Sequence, residues 1–164
     1  ANLPYYITTP IVMKLLEDKL DIESITVMVQ KEVAMRLSGK PSTKDYNSLS
    51  VLMQYYTNVK LLFSVSPKSF IPAPEVDSSV IMIERKEKLQ HLENEEYFLR
   101  FNRAIFAQRR KTLSNNLKTG FKYTQDLIED VLSKFNLLPS VRAESLTVEQ
   151  LVNIANTFYL STKK

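Results

Sequence analysis

At 164 residues, 44% of them hydrophobic and 24% charged, the chain is long enough for one domain or two small ones with their own cores. It has no cysteine and a single histidine, His91, which excludes disulfides and thiolate metal sites and argues against a histidine-built metal centre or a Ser-His triad. The formal net charge of +4 suits an anionic partner, and with only two glycines, Gly39 and Gly120, there is no glycine-rich turn to cradle a phosphate.

The chain opens on Asn2-Leu3-Pro4-Tyr5. Asn offers a side-chain carbonyl, Pro removes a backbone donor and fixes φ, and Tyr offers a flat face. Such a run suits an exposed amino group on a flat base. The chain begins at Ala1, immediately before this run, so a preceding segment is expected. Thr9 and Pro10 read as N-cap and first residue of a helix running to about Lys19, with Ile11, Val12, Leu15 and Leu16 on its apolar face. Ser24–Gln30 is β-branched and apolar, as in a buried strand. Lys31–Ser38 has helical spacing, with Gly39 placed to end it. Lys40–Asn47 is a polar loop. Ser48–Thr57 reads as a helix, Val59–Val65 and Ser78–Glu84 as strands. The prolines between Pro67 and Pro74 preclude regular structure there. Interleaved α and β predict a mainly parallel sheet covered by helices, with the last two strands antiparallel because their link is short.

Composition changes after Arg85, through the charged stretch Lys86–Glu96. Beyond it the patterns are helical. Asn94 is a candidate N-cap with Glu95 and Glu96 in the first turn, and Phe98, Phe101, Ile105 and Phe106 form a stripe. A short helix is predicted over Arg109–Leu117 and another over Thr124–Phe135. A third covers Thr147–Leu160, with Thr147 and Gln150 in capping-box spacing. The division predicted is 1–86 and 87–164.

Three strings carry chemistry. Asn2-Leu3-Pro4-Tyr5 is the first. In Phe70-Ile71-Pro72-Ala73-Pro74-Glu75-Val76-Asp77-Ser78, two prolines stiffen a loop with Phe70 at its mouth. Phe70 is either a plug in the core or a stacking platform for an unpaired base. The string 103–117 interleaves Arg103, Arg109, Arg110 and Lys111 with Phe106, Leu113 and Leu117. Three consecutive cations call for a polyanion, with an ordinary solvated face as the plain alternative.

In this order, ANLPYYITTP, VMVQKEVAMRL, SLSVLMQYY, FIPAPEVDSSV, FAQRRKTLSNNL and RAESLTVEQL resemble the signature segments of the rRNA adenine N6-dimethyltransferase family, the small-subunit dimethyladenosine transferases. The resemblance implies α/β plus all-α architecture: the distal part of a Rossmann-like methyltransferase sheet, then a small helical domain that binds RNA. It implies methyl transfer from S-adenosylmethionine to adenine N6 in ribosome biogenesis. Asn2, Leu3, Pro4, Tyr5 and Phe70 would be the catalytic group. Asn2 would also touch the donor, and Arg103, Arg109, Arg110 and Lys111 would contact RNA. No metal is implied. The partner would be small-subunit rRNA or its precursor particle, in the cytoplasm, with neither membrane nor oligomer. The family's Gly-rich donor motif is not found. The chain is therefore expected to be a C-terminal portion, with most of the S-adenosylmethionine site upstream of residue 1 and no activity alone. The family usually reads Arg-Gly-Glu where this chain has Arg142-Ala143-Glu144. Ala143 does not readily take φ > 0, which leaves that turn open. Two alternatives stand: a large-subunit rRNA methyltransferase of the macrolide-resistance type, and a non-catalytic RNA-binding or ribosome-assembly module.

Overall fold

The computed structural model describes residues 2, 4–17 and 22–163, with the backbone alone at Tyr5, Tyr6, Leu16 and Glu17. Helix α1 (Tyr5–Glu17) precedes strand β1 (Ser24–Gln30), and α2 (Lys31–Leu37) and α3 (Ser48–Tyr56) follow. Strands β2 (Thr57–Val65) and β3 (Ser78–Arg85) come next. Four helices complete the chain: α4 (Glu95–Ile105), α5 (Leu113–Phe121), α6 (Gln125–Ser133) and α7 (Val148–Thr162). It divides into two compact units, 1–39 with 52–89, and 40–51 with 90–164.

The first unit is built on a three-stranded sheet in the order β1-β3-β2, and β3 runs antiparallel to both neighbours. The expectation of a mainly parallel sheet is corrected. Strands β1 and β2 do point the same way, joined by a helical connection long enough for a crossover. The short link between β2 and β3 permits only an antiparallel return, and β3 inserts between the two. A single parallel bridge joins Asn2 to Met28 of β1. Val27 of β1 faces Ile81 of β3, and Ile83 and Val29 are buried in the same sheet. Helix α2 packs on it through Ala34 and Leu37.

Helix α1 starts earlier than Thr9, so Pro10 lies inside it. The prediction took Pro10 as the first helical residue, but Pro4 precedes the helix instead. Pro10 is exposed and, as the sixth helical residue, supplies no amide for the i→i−4 bond, so the helix goes without one bond there. Val12 and Thr8 are buried on the inner face. Lys19 and the Leu16 side chain lie outside the described residues. Gly39 follows α2 with ordinary φ, since no glycine here takes positive φ.

The second unit is helical, and each long helix begins on a hydroxyl or amide cap. Asn94 accepts from the Tyr97 amide at 2.7 Å, and Thr112 from Asn115 at 3.2 Å. Thr124 accepts from Leu127 at 3.4 Å. Thr147 and Gln150 form a reciprocal capping box. Phe98, Phe101, Ile105, Leu117, Val131 and Phe158 are all within 1% of full burial. Helices α4 and α5 approach closely: a Cβ at Gly120 would lie 2.8 Å from the Ala104 Cβ.

The helix expected over Arg109–Leu117 is corrected. Phe106 ends α4, Thr112 is extended and caps α5, and Arg109, Arg110 and Lys111 lie in the turn between. The Thr112 hydroxyl oxygen accepts from the Asn115 amide, a capping role it could not fill mid-helix, which resets the start to Leu113. Helix α6 ends at Ser133, short of Phe135, and Asn136 beyond it takes φ of 55°.

Candidate functional site

The register of the sheet brings two of the three strings to one end of it. Gln30, Ser78 and Val65 form the last row, at the carboxyl end of β1. The loop 66–77 springs from that row and is tied back where the Lys31 amide donates to the Asp77 carbonyl at 2.9 Å. Asn2 bridges Met28, two residues from the same row. The carboxyl end of strands is where open α/β sheets place ligands. A cavity at the other end, lined by Glu23, Asn58, Glu84 and Lys86 among others, contains none of the candidate residues.

Asn2 and Pro4 are exposed. The Pro4 carbonyl accepts from the Ile7 amide and from Thr8 Oγ1, each at 3.1 Å. Both its lone pairs are thus engaged within the chain. Thr8 is fully buried, so this bond sets the turn from the Asn2 segment into α1. Leu3 and the Tyr5 side chain lie outside the described residues.

Phe70 closes a single 3-10 turn, Pro67–Ser69, by donating its amide to the Pro67 carbonyl at 3.1 Å. The turn starts on Ser66, whose hydroxyl accepts from the Lys68 amide. Phe70 itself is half-buried, which leaves part of its ring open. Ile71, next to it, is completely exposed, and Val76 is 44% exposed. Large apolar side chains held in the open are the informative exception on a protein surface.

The third string is in the helical unit. Arg103 is exposed in the last turn of α4. Arg110 and Lys111 are exposed in the turn before α5, and among the described residues neither pairs with a carboxylate. Arg109 differs. Its Nε donates to Glu144 Oε2 at 2.7 Å, one amino group donates to the Thr43 carbonyl at 3.0 Å, and the other donates to the Lys44 carbonyl. Glu144 lies in a 3-10 turn, Ala143–Ser145, in which Ala143 is buried with negative φ. That geometry needs no glycine, and it settles the turn left open by Ala143.

Thr43 and Lys44 carry no functional signal in the sequence, and Glu144 stands there only as part of the Arg142-Ala143-Glu144 turn. They lie 66, 65 and 35 residues from Arg109, and no local pattern signals contacts of that range. His91 is exposed beside Glu93, 3.4 Å away, and takes no part in either region. Among the described residues no group of His, Cys, Asp or Glu gathers to hold a metal, and no helix is long and apolar enough to cross a membrane.

Comparison with known proteins adds to this geometry. A family profile described as "Ribosomal RNA adenine dimethylase" matches residues 1–159. The chain is 48% identical over 162 residues to the ribosomal RNA small subunit methyltransferase A of Oceanobacillus iheyensis, covering 97% of this chain and 55% of that protein. It is 49% identical to the protein of the same name from a Geobacillus species, covering 95% and 55%. The chain thus spans about half the length of the curated relatives it matches. Among solved structures, a dimethyladenosine transferase from Plasmodium falciparum superposes with a TM-score of 0.78 at 23% identity, over 94% of this chain and 63% of that one. The 23S rRNA methyltransferase ErmE superposes at 0.69 and 22%, over 96% and 63%. Both show the shared fold, a mixed α/β region followed by helices.

Two expectations are corrected by the extent of the family match. The chain was expected to be a C-terminal portion lacking the donor motif, with most of the S-adenosylmethionine site upstream of residue 1. The profile instead matches residues 1–159, nearly the whole of this chain.

Proposed function

We propose, for a chain that belongs to the ribosomal RNA adenine dimethylase family, that it serves S-adenosylmethionine-dependent N6,N6-dimethylation of adenine in small-subunit rRNA, in the cytoplasm and as a step of ribosome biogenesis. The observation that carries this reading is the placement of Asn2 and the Phe70 loop at the same end of the sheet. Residues 1–86 would provide the methyltransferase part and 87–164 the part that grips RNA.

Adenine N6 is a poor nucleophile because its lone pair is delocalised into the ring. Acceptors on its two hydrogens draw the nitrogen toward a tetrahedral shape and release that pair. Asn2 offers an exposed side-chain carbonyl for one hydrogen. The main-chain acceptor for the other falls to Leu3, since the Pro4 carbonyl already accepts two bonds. Pro4 then acts by shape, fixing the approach to α1. S-adenosylmethionine, when bound, supplies a methyl group on a positively charged sulfur, ready for in-line displacement. The exposed Asn2 amide has both a donor and an acceptor and fits a polar contact to it as well. In each transfer the N6–carbon bond forms, the sulfur–carbon bond breaks, and one N6 proton leaves to water. No strong base is required before attack, so the reading asks nothing of His91.

Tyr5 and Phe70 would stack on the two faces of the base once it leaves its helix. Arg103, Arg110 and Lys111 would meet phosphates. These contacts position RNA without reading its sequence. The test is an assay of small-subunit rRNA with S-adenosylmethionine, read as N6,N6-dimethyladenosine by nucleoside mass spectrometry. Asn2→Ala should abolish the product and leave RNA affinity within about twofold. Near-normal turnover by that variant would sink the mechanism. RNA binding by the unaltered chain with no dimethyladenosine would favour the RNA-binding module instead.

A further inference from the structure

Arg109 sits in the most cationic run of the chain, yet its guanidinium is turned onto the protein. Three of its donors are engaged: one on the Glu144 carboxylate and two on consecutive main-chain carbonyls, Thr43 and Lys44. A planar fork suits this arrangement, and a lysine ammonium could not span all three acceptors. The segment it holds has a feature that needs holding. Ser42 adopts φ of 65°, a left-handed conformation that is unfavourable for a non-glycine residue. Such a conformation persists where neighbouring contacts over-determine it. The Ser42 amide donates to the Glu144 carbonyl at 2.7 Å, and Tyr46 donates its buried hydroxyl to the Leu146 carbonyl at 2.9 Å. Glu144 therefore grips the segment twice, once through Arg109 and once through its own backbone.

The consequence concerns Lys44. Its carbonyl is bound to Arg109, and the next two residues after Arg109 are the exposed Arg110 and Lys111. Lys44 itself is exposed, and among the described residues its side chain pairs with no carboxylate. A cation from a distant part of the sequence is thus fixed next to the basic turn. We propose that Arg109 is a positioning residue whose three-way hold on Thr43, Lys44 and Glu144 presents Lys44 with Arg110 and Lys111 as one phosphate-binding face for RNA. This rests on the RNA reading above and assigns Arg109 a different part in it: it builds the face and leaves the contacts to its neighbours.

Simple electrostatics and the clamp predict opposite signs for one substitution, which makes the test sharp. Removing a carboxylate from a basic surface should strengthen RNA binding; removing the carboxylate that anchors a clamp should weaken it. Affinity of the whole chain for a fluorescein-labelled RNA hairpin of mixed sequence is measured against salt for the parent, K44A, R109A, R109K, E144A, the K44A/R109A pair and R110A/K111A. Each lost phosphate contact flattens the log–log salt slope by about 0.7–0.9. K44A should flatten it by about one contact. R109A and R109K should do the same, and the K44A/R109A pair should lose no more than R109A alone. E144A should bind more weakly than the parent. Hydrogen exchange at the Ser42 amide should rise in R109A and E144A while the amides of α7 stay protected, which shows that the variants remain folded.

A parent-like slope for R109K, tighter binding by E144A, additive slope losses in the pair, an unaffected K44A, or unchanged exchange at Ser42 would each overturn the proposal. Failure of the RNA reading has its own signature: a parent chain without salt-dependent binding, on which R110A/K111A has no effect. Loss of the face then follows from that reading and not from the clamp.

Discussion

The two units treat their phenylalanines differently. In the helical unit Phe98, Phe101 and Phe158 are fully buried, and an aromatic cluster extends from them through Phe121 and Tyr97 to Tyr123 and Tyr159. In the sheet unit, edge strand β2 leaves Leu61, Leu62 and Phe63 between 45% and 59% exposed, and the loop after it leaves Ile71 entirely so. An open apolar edge invites pairing with other chains. This one is blunted by a bulge between Leu61 and Phe63 and by the Lys60–Glu84 ion pair at 2.5 Å. The contrast separates stability from display. Burial in the helical unit supplies a scaffold, whereas the sheet unit keeps apolar groups in the open along β2 and in the loop after it.

The contrast is broken most directly by truncating one phenylalanine from each unit. Phe101→Ala should cost about 3–5 kcal/mol, through lost transfer energy and the cavity left behind. Phe63→Ala should stay within about 0.5 kcal/mol of the parent, as expected away from a core. Denaturant titrations of both variants decide it; a large loss at Phe63 would mean that β2 is covered in solution.

A smaller effect should follow at Asn116. This buried side chain donates to the carbonyls of Ile105 and Gln108, at 2.7 and 3.2 Å, where α4 gives way to the basic turn. Asn116→Ala leaves both acceptors without that donor and should cost about 1–3 kcal/mol. It should also loosen the turn that holds Arg109, which would show as faster amide exchange across 106–112. An unchanged unfolding midpoint would show that water replaces the side chain without loss.

What the sequence made legible follows the range of the interactions. The caps at Asn94 and Thr147 could be read because each closes within three residues of chain. Antiparallel pairing of β2 and β3 could be read from the short link. The place of β3 between β1 and β2 could not, since nothing local specifies which neighbour a returning strand takes. At the candidate site, the Asn2 run and Phe70 were legible as chemistry, but their placement at one sheet end emerges only from the strand register. The basic turn was misread as helix because the caps at both ends, Phe106 and Thr112, fall inside a run whose composition tolerates helix. Arg109 was legible as a cation, but not as a clamp, because its partners come from two remote segments.

The smallest effect sharpens the contrast through pH. Burial raises the Tyr46 hydroxyl well above its ordinary range. Burial also raises Tyr97, helped by its 2.9 Å bond to the Tyr123 hydroxyl and opposed by nearby Arg100. An unfolded tyrosine ionises near pH 10. A folded one that keeps its proton to higher pH contributes stability that is fully present below about pH 10 and lost as pH rises above it, because the unfolded chain then sheds protons first. Both side chains belong to the helical unit, so that unit should weaken in alkali while its stability stays level on this account through neutral pH. Tyr97→Phe removes one titrating group and one hydrogen bond. It should cost roughly 0.5–1.5 kcal/mol at neutral pH and make the alkaline decline shallower. The measurement is the denaturant midpoint from neutrality to above about pH 10, followed by tyrosinate absorbance at each pH. A decline as steep in Tyr97→Phe as in the parent would assign alkaline loss to groups outside the aromatic cluster.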